Sequence, residues 1–185
     1  MQYNFDTYYW QDDKIRLRTT IHSDAEYHNM QRVDVLGSAL VAEHIPLTPI
    51  FRIAKNDAEP IENNESSPNF TIETLSGEYV GSISFHSINE RNGAFSISMG
   101  ILKGQRRKGY GKAAMNILLE YAFNERRWHR FEGYCLDINT ASAKMMESLG
   151  CVREGVNREA IFFNGKYHDR LLYSLLENEY RERKK

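Results

Sequence analysis

A glycine turn beside a run of cations is the part of the chain whose residue types most directly suggest chemistry. The turn reads Arg106, Arg107, Lys108, Gly109, Tyr110, Gly111 and Lys112. An apolar run at residues 95–102 precedes it, and a helical pattern at residues 113–123 follows it. A strand–turn–helix of this kind directs unpaired backbone N–H groups to one spot at the positive end of a helix dipole. The pattern therefore predicts an anion site, above all for phosphate.

Two nucleotide-binding motifs do not fit this turn. Gly104 and Gly109 have the P-loop spacing, but Tyr110 and Gly111 stand where Lys and Ser/Thr are needed, so the motif lacks the hydroxyl that holds magnesium. The dinucleotide motif needs a third glycine where Ala114 stands, together with the alternating strands and helices of a doubly wound sheet. Both departures argue against a nucleotide ligand.

Composition limits the class of protein. The chain has 185 residues, which is enough for one domain with a sizeable core. Its net charge is −1, so the protein as a whole does not attract nucleic acid electrostatically. The basic run at residues 181–185 predicts a solvated tail. Cys135 and Cys151 have no metal-ligand spacing, which predicts free thiols in a reducing cytoplasm and no bound metal. The sequence shows neither a signal-peptide pattern at residues 1–10 nor a run of membrane-spanning length.

The elements that position the turn follow from periodicity and turn residues. Predicted strands cover residues 14–20, 70–75, 79–88, 95–102, 131–138, 156–163 and 167–176. Predicted helices cover residues 113–123 and 141–149, the second ended by Gly150, with short helical character at residues 35–43. Asn164 and Gly165 predict the turn of the final hairpin. Residues 55–68 predict a surface loop, and residues 1–13 an N-terminal extension.

The motif Arg106-x-x-Gly109-x-Gly111 resembles the Arg/Gln-x-x-Gly-x-Gly/Ala signature of the GNAT superfamily of acyl-CoA-dependent N-acetyltransferases. The predicted element order matches that fold from about residue 14 onward. The resemblance implies one α+β domain over residues 1–185, with a mostly antiparallel central sheet, splayed at the coenzyme A site and flanked by helices. Residues 70–73, 81–83 and 160–170 look closest to the branch of ribosomal-protein alanine acetyltransferases.

The resemblance implies a coenzyme A site at the turn and on the strand before it. The implied cofactor-binding residues are Met99, Gly100, Ile101, Arg106, Arg107, Lys108, Gly109, Tyr110, Gly111, Lys112, Asn139 and Ser142. The strand splays from its neighbour at a bulge, which falls on Met99, Gly100 and Ile101, and a backbone amide there faces the oxyanion. Gly100 fits such a bulge or a plain strand irregularity, and Asn139 fits a pantetheine contact or a helix N-cap.

Acetyl transfer to an amine also needs proton acceptors and donors. Glu73, His86 and Asp137 lie on neighbouring strands and are candidates for the base. Many GNAT enzymes protonate the leaving thiolate with a tyrosine, but Met146 stands at that position here. In the ribosomal-protein-like branch, a serine at the position of Ser142 lies near the sulfur, so Ser142 is the implied catalytic donor, or a first-turn residue only. Tyr134 is a weaker alternative donor.

The sequence thus predicts a cytoplasmic, metal-free N-acetyltransferase that uses acetyl-CoA and a primary amine, either a protein α-amine or a small-molecule amine. The alternatives are an acyl-CoA sensor with weak catalysis and a ribosome- or RNA-associated adaptor, although nucleic acid fits the charge poorly. The resemblance places the acceptor groove at residues 24–43 and 162–169, allows a homodimer and implies no membrane contact. The acceptor itself and the base stay open.

Overall fold

The computed structural model describes residues 9–24, 26, 27, 34, 36, 37, 40 and 68–183. Four predicted features therefore lie wholly or partly outside the described residues. These are the extension at residues 1–13, the helical stretch at 35–43, the acceptor segment at 24–43 and the loop at 55–68.

Seven strands form one sheet in the order β1–β2–β3–β4–β5–β7–β6. The strands are β1 Ile15–Thr19, β2 Asn69–Thr74, β3 Tyr79–Asn89, β4 Ala94–Ile101, β5 Arg130–Leu136, β6 Val152–Phe163 and β7 Lys166–Leu176. Neighbours pair antiparallel except β4 and β5, which are parallel. All seven predicted strands are confirmed, and β6 begins four residues earlier than expected. In the final turn Asn164 and Gly165 have φ of 49° and 83°, as a two-residue hairpin loop requires.

Within residues 68–183, three helices connect or follow the strands. They are α1 Tyr110–Glu120 after β4, α2 Thr140–Ser148 after β5 and α3 Glu177–Glu182 after β7. α1 continues into one π-helical turn, Tyr121–Glu125. The two predicted helices are confirmed, and Gly150 ends α2 with a φ of 84°.

Residues 181–183, the described part of the tail predicted to be solvated, are exposed, and they continue from a helix that docks on the core. Tyr180 of α3 is buried against Phe123, with ring centroids 5.0 Å apart. Arg183 Nη2 donates to the carbonyl of Ser148 at 2.9 Å. The single buried aromatic residue Tyr180 docks this helix on the core, and the charged residues on either side of it concealed the helix in the sequence.

One face of the sheet packs on α1 and α2 and holds the main core. Phe95 lies at its centre, with ring centroids 5.0–5.8 Å from Phe85, Phe123, Trp128 and Phe131. Phe95 pairs with Phe131 in the β4–β5 ladder. The aromatic cluster therefore fixes β4 and β5 together at one point, from which they separate.

Candidate active site

The strands β4 and β5 separate after only two paired positions. The ladder holds Ala94 opposite Arg130 and Phe95 opposite Phe131, and no further pair follows. By contrast, β5 pairs with β7 from Arg130 to Leu136. The predicted splay is therefore present, and it opens toward the glycine turn that follows β4.

The predicted bulge at Gly100 is wrong. Pairing between β3 and β4 is continuous from Gly81–Ile101 to His86–Ser96, and the register shifts only beyond it, where Ser87 has a φ of 52°. The glycine requirement lies on β3, because a Cβ on Gly81 would be 2.1 Å from the carbonyl oxygen of Gly100. The glycines thus allow two strands to approach closely, and the splay comes from the missing β4–β5 ladder.

A cavity of about 1030 Å³ follows the splay. It is lined by every residue predicted for the cofactor and for catalysis except Lys108. Lys108 turns away, and its ammonium donates to Gln105 Oε1 at 2.7 Å. Lys103 also lines this cavity. It was not predicted from the sequence because it precedes the motif of the glycine turn.

The loop end of the cavity, defined by Lys103, Arg106, Arg107, Gly109 and Lys112, is positively charged. Gly109 is the N-cap of α1 with a φ of 88°, and its carbonyl accepts the N–H of Ala113. Within the described part of the chain, no side chain caps this helix, so its first-turn N–H groups point toward the cavity. Cations and a helix N-terminus converge there, as an anion site requires.

Arg106 is held in place from two sides. Its Nε donates to the carbonyl of Ile101 at 3.0 Å, and its Nη2 pairs with the carboxylate of Asp34. Burial alone would raise the pKa of Asp34, but hydrogen bonds from the Gly37 N–H and from Arg106 outweigh it and lower that pKa. The pair links the glycine turn to the N-terminal segment.

Gly111 packs against β4. A Cβ at this position would be 3.0 Å from Cε of Met99. A larger residue there would therefore press on the side chains of Met99 and Ile101, besides any effect on a bound anion.

At the start of α2, Asn139 acts as an N-cap. Its Oδ1 accepts the N–H of Ser142 at 3.2 Å, and Asn139 also lines the cavity. Burial raises the pKa of Cys135 to about 11, while a hydrogen bond with the side chain of Ser142 acts in the opposite direction. Met146, one turn further, lines the cavity with a thioether that has no proton to give.

Tyr134 of β5 reaches the cavity from the other face of the sheet. Its ring is 47% exposed, and the guanidinium carbon of Arg170 lies 4.7 Å from the ring centroid. This contact is a cation–π interaction that orients the ring.

The serine end of the cavity lies on β3 and β4, away from the loop end. It is formed by Asn69, Ser82, Ser84, His86, Ser96 and Ser98. In the ladder Ser84 is opposite Ser98, and His86 is opposite Ser96. Because strand side chains alternate, the neighbours Ile83 and Phe85 face the core while these polar groups face the cavity. The alternation of polar and apolar residues on these strands was visible in the sequence, but the same pattern is typical of a strand whose polar face is in solvent.

The three candidate bases have different surroundings. Glu73 is buried and ion-paired with Arg16 and Arg18, and Asp137 accepts from the Nδ1 of His168 at 3.0 Å. Neither carboxylate lines the cavity, whereas His86 does. Burial would raise the pKa of Glu73, but the arginine hydrogen bonds outweigh it and lower that pKa.

The predicted acceptor groove is only partly described. Phe162 and Tyr167 on the final hairpin are exposed and make an edge-to-face contact at 5.1 Å. Leu40 packs against Leu136 and Phe163 and also lines the cavity, so the described fragment of the N-terminal segment borders it.

Two kinds of feature are absent from the described residues. No group of three or more His, Cys, Asp or Glu among them is placed to hold a metal ion. Nor does any helix within those residues have the length and apolarity needed to cross a membrane.

Comparison with known proteins adds a family and a set of relatives. The family model "Acetyltransferase (GNAT) domain" matches residues 14–152. The SPbeta prophage-derived uncharacterized N-acetyltransferase YokL of Bacillus subtilis is 24% identical over 93% of this chain and 95% of its own. The "Putative ribosomal N-acetyltransferase YdaF" of Bacillus subtilis is 34% identical over 56% of this chain and 57% of its own.

Two solved structures share the fold. A GNAT-family acetyltransferase from Bacillus anthracis has a TM-score of 0.77 at 24% identity, covering 91% of this chain and 98% of its own. The spermidine N-acetyltransferase of Vibrio cholerae, in complex with CoA and spermine, has a TM-score of 0.79 at 19% identity, covering 92% and 99%.

Proposed function

The chain belongs to the GNAT acetyltransferase family and is an acetyl-CoA-dependent N-acetyltransferase, and we propose that the cavity between β4 and β5 is its active site. The observation that carries this proposal is the joining of two features in one cavity. Within the described residues, the β4–β5 ladder stops at Phe95 and the two strands diverge along the cavity, and a cationic helix N-terminus that no described side chain caps closes its loop end.

The loop end binds the pyrophosphate of coenzyme A. The first-turn N–H groups of α1 supply donors, and the side chains of Arg106, Arg107 and Lys112 supply charge. The charge of Lys108 adds to the local field, although its side chain does not line the cavity.

The strand edge of β4 receives the pantetheine arm. Among the described residues, β4 has no ladder partner on β5 beyond Phe95, and Met99 and Ile101 line the cavity along that stretch of β4. A ligand amide can pair with such an edge as an added strand does. A backbone N–H in this stretch then stabilises the oxyanion of the transition state.

The reaction is direct transfer. The neutral amine attacks the thioester carbonyl, a C–N bond forms, the C–S bond breaks, and the thiolate takes up a proton. Ser142 hydrogen-bonds the leaving sulfur from the first turn of α2, with Tyr134 as the alternative donor. Positioning of the two reactants supplies much of the rate.

The acceptor is a primary amine, and the cavity favours one with a single positive charge. Among the cavity-lining residues that the structure describes, Glu132 is the one carboxylate, and it pairs with Arg130. Neutralising an α-amine with a pKa near 8 costs about 1 kcal/mol at pH 7, against about 5 kcal/mol for a lysine-like amine. A protein α-amine or a monoamine metabolite therefore fits better than the polyamine bound by the Vibrio cholerae structure.

A panel of amines tests the function. Acetyl-CoA is mixed with an Ala-initiated peptide, an N-acetyl-lysine amide and spermidine, while free-thiol release and product mass are followed. We expect fastest release with the peptide and a mass gain of one acetyl group. Wild-type protein that binds acetyl-CoA in calorimetry but acetylates no panel member would contradict the proposed reaction, and absence of binding would contradict the site.

We also propose a cytoplasmic location and a single domain over residues 1–185. The free, buried Cys135 and Cys151 support a reducing compartment. Dimerisation stays a prediction of the resemblance, which sedimentation velocity tests.

A further inference from the structure

His86 is an ionisable side chain at the closed end of the splay. It lies opposite Ser96, one residue beyond the last paired position of β4 and β5. Ser84 and Ser98 line the same cavity beside it, and their short hydroxyls leave room for a ligand and a bridging water. The imidazole is therefore within the cavity that the reacting groups occupy.

The backbone next to His86 fixes the direction of its ring. The β3–β4 register shifts directly after it, and Ser87 has a left-handed φ of 52°. Nδ1 of His86 lies 3.1 Å from Oγ of Ser87. A tautomer with the proton on Nδ1 donates to that hydroxyl and leaves the lone pair of Nε2 as an acceptor.

The charge surroundings of His86 favour the neutral ring. Burial lowers its pKa from the usual 6.5. Within the described residues, the charged groups on its side of the sheet are Glu73 on β2, which is paired with Arg16 and Arg18 of β1, and Glu132 and Arg130 on β5. Arg130 binds both Glu132 and Glu154, so the three form a local ion-paired cluster. Glu132 is at least two strand spacings from His86, about 10 Å or more, because β4 and β5 have begun to diverge there.

The other candidate bases are engaged elsewhere. Glu73 is ion-paired with Arg16 and Arg18 of β1, and Asp137 is bound to His168 just after β5. Both carboxylates are absent from the lining of the cavity. Geometry thus reduces three candidates to one.

We propose that His86 is the general base that takes the proton from the acceptor amine during acetyl transfer. The inference rests on the proposed function of the cavity. Nε2 of His86 accepts one N–H proton as the amine nitrogen bonds to the thioester carbon, directly or through one water. When the C–S bond breaks, the thiolate is protonated and the imidazolium returns its proton to solvent, so the net products are the amide and free coenzyme A.

A pH profile distinguishes this role from a structural one. For the Ala-initiated peptide, kcat/KM of the wild type falls with the second power of proton concentration below the pKa of His86, since both the amine and the imidazole must be neutral. In His86→Gln we expect a loss of about 100-fold or more in kcat and only the first-power dependence that the amine itself imposes. The KM for acetyl-CoA stays unchanged.

Chemical rescue provides the second readout. Added imidazole should restore part of the activity of His86→Ala, because a free base can occupy the space that the side chain leaves. His129→Gln is the matched control, because His129 is exposed and does not line the cavity, and it should keep its activity within about 3-fold. Thermal melts and acetyl-CoA calorimetry check that all variants fold and bind.

Two results would overturn the proposal. One is a folded His86→Gln protein that keeps more than a third of the wild-type kcat, and the other is a second-power acid limb that survives in it. Failure of the proposed function is recognised separately, since the wild type would then acetylate none of the panel.

Discussion

The two ends of the cavity differ in what they present to a ligand. The loop end offers backbone N–H groups and cations, while the serine end offers small neutral side chains and one imidazole. Charge and backbone donors hold an anion without reacting with it, whereas a neutral base beside hydroxyls can move a proton. The comparison indicates that the loop end holds the ligand and that the serine end, on β3 and β4, carries the proton transfer.

The two helices that start at the cavity repeat this division. The N-terminus of α1 has Gly109 as its cap residue, and in the described chain its first turn receives no side-chain cap. The N-terminus of α2 is satisfied internally by Asn139. An uncapped helix start is available to a bound anion, whereas a capped one contributes its side chains, here Ser142.

Reversing two charges at the loop end should give the largest effect. In the double variant Arg107→Glu and Lys112→Glu, we expect acetyl-CoA affinity to fall about 100-fold in calorimetry, because charge-assisted contacts to phosphate are lost. At saturating acetyl-CoA kcat should be unchanged. Glutamate in the first turn of α1 suits the helix dipole, so the fold is kept.

Lys144→Glu is the matched control for this variant. Lys144 is exposed on α2 and does not line the cavity. Its reversal should leave affinity within about 2-fold. Equal losses in both proteins, or wild-type affinity that does not fall as salt rises, would contradict a phosphate site at the loop end.

Removing the hydroxyl of Ser142 should have an intermediate effect at the other end. Ser142→Ala keeps the backbone N–H that Asn139 caps, so stability is retained. We expect kcat to fall about 10-fold with unchanged KM for acetyl-CoA, because the leaving thiolate loses a donor in the transition state. Ser148→Ala, at the opposite end of α2, is the control. Unchanged turnover in Ser142→Ala would transfer the donor role to Tyr134 or to water.

The smallest effect is expected at Asn139, where it separates two roles. Asn139→Ala should lower the free energy of unfolding by about 1 kcal/mol through loss of the cap, measured in urea. Asn139→Asp keeps an oxygen at the cap and removes the amide donor, so its stability should match the wild type. A raised KM for acetyl-CoA in Asn139→Asp would indicate a pantetheine contact, and an unchanged KM would leave Asn139 as a cap alone.

Much of the fold was accessible from the sequence because local signals agreed. Alternation gave the strands, and Gly150 and Asn164-Gly165 marked a helix end and a hairpin turn. The motif at Arg106 to Gly111 gave the family, which the match over residues 14–152 confirms. Each of these signals involves only a few neighbouring residues, so it can be recognised without knowing the tertiary structure.

The misses all depend on contacts between distant residues. The shift of register at Ser87 follows from the pairing of β3 with β4, and no glycine marks it. α3 was hidden because only the position of Phe123 makes Tyr180 a core residue. The serine end needs both strands in register before Ser84 and Ser98 become one surface. The sequence predicted His86, Glu73 and Asp137 as three candidate bases. The structure shows that the two carboxylates are ion-paired and do not line the cavity, whereas His86 does.

The short β4–β5 ladder has a mechanical consequence. Two paired positions and one aromatic cluster join a four-stranded half of the sheet to a three-stranded half. A pantetheine arm laid along the seam would bridge the two halves as an eighth strand made by a small molecule. Amide hydrogens on the facing edges would then exchange with solvent more slowly once the cofactor is bound. In that sense acetyl-CoA completes the sheet that holds it.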